Sequence, residues 1–119
     1  MYNTKILTDN GVNLEKSLEL FGDMDTYNET LVDFLNDVER KLHDIKKYKE
    51  LSDMANYAIL VHSLKSDAKY FGFNKLAELS YNHELKSKDN DIEYVNNNFS
   101  ELELEYKRIL NIVGNYLNK

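Results

Sequence analysis

The sequence predicts an all-α fold: an antiparallel up-down four-helix bundle with a short extra N-terminal helix. Three observations carry this. Apolar residues recur every three to four positions rather than in alternation. The chain has no proline and only four glycines, Gly11, Gly22, Gly72 and Gly114, so little in it breaks a long helix. The segments between the apolar stripes are short, which makes neighbours in sequence antiparallel neighbours in space.

The first long stripe runs from Met24 through Tyr27, Leu31, Phe34, Val38 and Leu42 to Ile45. It predicts a helix near 24–48, capped by Asp23 or Asp25. Tyr57, Leu60, Val61, Leu64, Ala68 and Phe71 form the second stripe, predicting a helix near 53–71 capped by Ser52 or Asp53. Gly72 then ends it, and Asn74 is expected to cap a third helix near 74–87 that carries Leu76 and Leu79. The run "DND" at 89–91 reads as a turn and cap for the fourth helix, near 91–117. That helix bears Val95, Phe99, Leu102, Tyr106, Ile109, Val113 and Leu117. Upstream, Asn13 to Phe21 predicts a short helix across one end, stopped by Gly22. The whole chain, 1–119, reads as one domain with a flexible N-terminal segment over about 1–11.

Composition narrows the function. There is no cysteine, so disulfide and thiolate chemistry are excluded. Net charge is −6 and the isoelectric point is near 5.0, against the basic face that nucleic acid requires. No apolar run approaches a membrane span, and the N-terminus lacks the pattern of a secretory signal. The expected setting is the cytoplasm. Neither a Walker loop nor G-x-G-x-x-G is present, so the chain is not expected to take phosphate from ATP as an autonomous kinase. Metal spacing is also poor, because Glu39 precedes His43 by four residues rather than the three of di-metal bundles.

One phrase occurs almost twice: "HSLKS" at 62–66 and "HELKS" at 83–87. Each sets a histidine one turn before a lysine. Helical phase separates the copies. Each residue turns roughly 100°, which places His62 roughly 140° from the centre of its buried stripe. His62 is therefore expected to face solvent, with Lys65, Ser66 and Lys69 on its flank. His83 falls in line with Leu76 and Leu79 and is expected to point into the bundle as a packing residue. His43 sits near the edge of its stripe without distinctive neighbours.

"HSLKSDAKYFGFNKLAEL" resembles the signature of histidine-containing phosphotransfer (HPt) domains: His-x-Leu-Lys-small, then glycine ten residues after the histidine and leucine four later. His62, Leu64, Lys65, Ser66, Gly72 and Leu76 fill those positions. "LELFGDMDTYNETLVDFL" resembles the family's lead-in to the first bundle helix, so the likeness runs from about Val12 to the C-terminus. Two positions depart from the pattern. Ser66 stands where glycine is common, and His83-Glu84 where the family often has Leu-Glu.

The resemblance implies that His62 is the phosphoacceptor, attacking through a neutral ring nitrogen. Lys65 would stabilise the phosphoryl group, as a positioned cation does for charge spread over its oxygens. Lys69, Ser66 and Gly72 would be supporting residues. Ile59 and Tyr70, on the outward face one turn before and two turns after His62, would form a docking rim. The implied function is a phosphoryl carrier in a multistep phosphorelay, accepting from one receiver-domain aspartate and donating to another. The partner would be the receiver of a response regulator or hybrid histidine kinase. No cofactor is expected on this chain, with Mg²⁺ held by the receiver, and no nucleic acid or membrane partner; the protein is expected to act as a monomer. Two alternatives use the same surface: the phosphoacceptor domain of a chemotaxis-type kinase system, and a non-phosphorylated helical adaptor that binds receivers.

Overall fold

The computed structural model describes residues 2–118. Six helices follow one another: α1 (Lys5–Thr8), α2 (Leu14–Phe21), α3 (Met24–Glu50), α4 (Met54–Phe71), α5 (Asn74–Lys88) and α6 (Ile92–Leu117). The last four close a ring in which α3 touches α4 and α6, and α5 touches α4 and α6. This is the up-down bundle that the stripes predict. No strand occurs among the described residues.

The helices are unequal, and this explains the N-terminal additions. α3 and α6 have 27 and 26 residues, whereas α4 and α5 have 18 and 15. At about 1.5 Å per residue the long pair outreaches the short pair by roughly 12–18 Å. The overhanging apolar surface needs a cover. α2 lies against α3 and α4, and α1 lies against α6. Residues 2–11, expected as a flexible lead-in, thus hold a helical turn whose Leu7 is fully buried. Arg108 on α6 donates to the Asn10 carbonyl and holds the same segment. Met1 lies outside the described residues.

Capping resolves the alternatives at each helix start. Asp23 accepts from the Thr26 amide, Asp53 from Asn56 and Asp91 from Tyr94. Ser52 adopts a positive φ instead. The expected Asn74 cap is corrected: Phe73 holds the N-cap position without a side-chain cap, and Asn74 is the first residue of α5. The cause is packing. Phe73 is buried between Phe34 and Phe71, so the chain turns straight from Gly72 into α5 and the core anchor takes the place of a polar cap.

Gly72 has two reasons to be glycine. Its φ is +83°, a left-handed conformation that penalises any Cβ. A Cβ there would also lie 2.5 Å from the Asn13 carbonyl oxygen. The Asn13 amide donates to the Gly72 carbonyl at 2.9 Å, so this glycine sets the seat of α2 on the end of α4. Tyr27 clamps the same end by donating to the Phe71 carbonyl.

Candidate functional site

α4 buries Met54, Tyr57, Ala58, Val61, Leu64, Ala68 and Phe71, a continuous 3–4 spacing that turns His62, Lys69 and Tyr70 outward. The His62 side chain is 55% exposed. Its Nδ1 lies 2.8 Å from Oε2 of Glu84 on α5. A carboxylate only accepts, so Nδ1 carries the proton and donates it. In the neutral ring Nε2 then holds the lone pair, and Nε2 has no hydrogen-bond partner among the described residues.

Glu84 is the centre of the site. Its side chain is only 3% exposed, yet one histidine and two lysines converge on it. Lys65 Nζ pairs with Oε1 at 2.7 Å, and Lys88 Nζ reaches Oε2 at 2.7 Å beside His62. Burial is the largest single influence on this carboxyl and pushes its pKa up. Hydrogen bonds from Lys65, Lys88 and His62, with the Lys65 charge, outweigh it and bring the pKa down to about 2. Glu84 is therefore an anion at neutral pH, and it fixes the imidazole's tautomer and orientation.

The other predicted residues are brought together unevenly. Lys65 turns inward, its side chain 13% exposed and its ammonium 5.1 Å from the centre of the Tyr81 ring. Lys69 and Tyr70 are exposed and, with Leu20 and half-buried Ser66, line a shallow depression of about 270 Å³. Ile59 lies on the other side of His62. It lines a groove of about 580 Å³ between α4 and α5, shared with Met54, Ala58, His62, Glu84 and Lys88. The apolar positions thus flank the imidazole on both sides. Gly72 lies away from the chemistry, at the α2 seat.

The family model of the Hpt domain matches residues 29–112. The chain belongs to the Hpt domain family. Membership assigns it to histidine phosphotransfer in phosphorelay signalling, where Hpt domains meet receiver domains. No curated protein and no solved structure matches significantly. No helix among the described residues is long and apolar enough to cross a membrane. None of their His, Asp and Glu side chains form a group of three placed to hold a metal.

Within this Hpt domain, the second histidine is a structural group. His83 is 2% exposed. Its Nε2 donates to the Asn98 carbonyl at 3.2 Å, so its Nδ1 accepts from the Tyr57 hydroxyl at 2.8 Å. Both ring nitrogens are occupied. Exposed His43 lies on α3.

Sequence reasoning missed Glu84 and Lys88. A signal for Glu84 existed: it lies four residues beyond Ser80, which is four beyond Leu76. A carboxylate there lies on the buried stripe and needs cations. Lys88 follows it by one further turn.

Proposed function

We propose that this Hpt domain carries a phosphoryl group on Nε2 of His62, accepting it from the aspartate of one receiver domain and passing it to another. The observation that carries the reading is the His62–Glu84 hydrogen bond at 2.8 Å. It commits Nδ1 and leaves Nε2 as the nucleophile in a side chain open to solvent.

The chemistry balances without a proton leaving. The Nε2 lone pair attacks phosphorus, the bond from phosphorus to the aspartyl oxygen breaks, and its electron pair stays on the carboxylate. The ring keeps its Nδ1 proton and gains positive charge, which the Glu84 anion stabilises. The cationic ring is in turn a good leaving group for the return step. Mg²⁺ belongs to the receiver in this scheme. Lys65 supplies a fixed positive charge from beneath, and Lys69 adds potential one turn on. Two lysines against one glutamate make the site locally cationic on a chain of net charge −6, which suits an incoming phosphoryl dianion. Ile59 and Tyr70 are the apolar rim, and Ser66 is small enough to let a partner approach.

The test is label transfer from a panel of phosphorylated receivers to wild type and His62→Gln. At least one receiver should label wild type, and none should label the variant. Labelling only by a kinase catalytic domain with ATP would support the chemotaxis-type alternative. A receiver that binds but never labels would support the adaptor.

A further inference from the structure

We infer that Lys88 is the mobile cation of this site, leaving Glu84 for the phosphoryl oxygens once Nε2 of His62 is phosphorylated. The inference rests on His62 being the phosphoacceptor and adds a residue that the signature does not contain. Lys65 and Lys88 both pair with Glu84, but they are held differently. Lys65 is 13% exposed and takes Oε1 alone, against the Tyr81 ring. Lys88 is 60% exposed, stands in the last turn of α5 and lines the same groove as His62. It shares Oε2 with the His62 Nδ1–H.

Oε2 accepts from both donors at once, and phosphorylation changes the balance between them. In the resting state Oε2 serves the Nδ1–H and an ammonium together. Once Nε2 bonds to phosphorus, the ring with its retained Nδ1 proton is a cation and binds Oε2 more strongly. A second cation on that oxygen is then repelled. The same event places a dianionic phosphoryl group on the exposed edge of the ring. Lys88 is on a flexible four-carbon stem in the shared groove, so it has a reason to leave and a nearby charge to meet. Lys65, locked beneath, has neither. Lys88 thus neutralises the phosphoryl group in transit while Lys65 keeps Glu84 in place.

The experiment compares wild type, Lys88→Ala and Lys88→Arg, each phosphorylated on histidine with phosphoramidate and then mixed with a receiver. Transfer from Lys88→Ala should be roughly tenfold slower, less than a buried oxyanion donor would cost because the cation is exposed. Lys88→Arg should recover most of the rate. Nitrogen NMR should still find the His62 proton on Nδ1 in Lys88→Ala. In wild type the Lys88 side-chain resonances should shift on phosphorylation more than those of Lys65. A wild-type transfer rate in Lys88→Ala, unmoved Lys88 resonances, or loss of the Nδ1 proton in that variant would each overturn the inference. Labelling of His62→Gln would instead overturn the phosphoacceptor reading itself, so the two failures are distinguishable.

Discussion

His62 and His83 stand in near-identical pentapeptides on adjacent antiparallel helices, and the bundle treats them in opposite ways. Both rings have one nitrogen held by a neighbouring helix: His62 by Glu84 on α5, His83 by Tyr57 on α4. The difference is the second nitrogen. For His83 it is spent on the Asn98 carbonyl of α6, whereas for His62 it faces solvent. A histidine with both nitrogens committed in a dry site ties three helices together. A histidine with one committed nitrogen is oriented and still reactive. The two phrases also meet, because Glu84 of "HELKS" holds both His62 and Lys65 of "HSLKS". The echo supplies the partner of the site rather than a second site.

The contrast can be broken most strongly at Glu84. Glu84→Ala removes the anion behind the developing cationic ring, and transfer through His62 should fall by about 100-fold. It also strands the partly buried Lys65 ammonium, so chemical denaturation should show a loss of roughly 2–3 kcal/mol. Glu84→Gln keeps an acceptor for Nδ1–H and should lose less of the rate.

His83→Gln tests the other side. It disturbs the Tyr57 and Asn98 partners in the core and should cost about 2 kcal/mol in a urea melt, with labelling at His62 retained. His62→Gln, at an exposed position, should change stability by no more than about 0.5 kcal/mol. Equal stability losses in the two variants would contradict the division of roles.

Acid should reveal the same division. Burial, the dominant influence, holds the His83 pKa below the usual 6.5, although the Asn98 carbonyl and Glu101 pull it partly back. The unfolded chain therefore takes up this proton first. The contribution of His83 is complete above about pH 6.5 and is lost as pH falls toward its lower native pKa. Glu84 contributes a second leg, present above the usual 4.5 and lost as pH falls to about 2. Urea melts from pH 7.5 to 3 should show both legs, and His83→Gln should flatten the first. A smaller loss than that of His83→Gln is expected for Tyr57→Phe, which deletes one hydroxyl from the buried bridge and should cost about 1 kcal/mol.

Much of this was legible in the sequence, for reasons that particular residues make clear. Each bundle helix carries one stripe, so the positions of α3 to α6 followed from periodicity. Helical phase alone placed His62 outward and His83 inward, because phase depends only on residues of the same helix. α1 was not legible: four residues are too few to show a period, and Leu7 is buried only because α6 overhangs its neighbours. Glu84 escaped because a charge on an apolar stripe looks like a gap in it. Its meaning depends on Lys65 and His62, which another helix supplies. For the same reason helical phase sets Lys65 on the flank of His62, whereas its stem bends inward to reach that carboxylate. Asn74 has the side chain of a cap, but the core needs Phe73 at the N-cap position.

The central claim is that only one of the chain's three histidines offers a free, oriented nitrogen. The most direct measurement is nitrogen NMR on histidine-labelled protein before and after phosphorylation. The account predicts a proton on Nδ1 of His62 in both states and the new bond to phosphorus on Nε2 of His62, with His43 and His83 unphosphorylated. Phosphorus on His83, on His43, or on Nδ1 of His62 would contradict it.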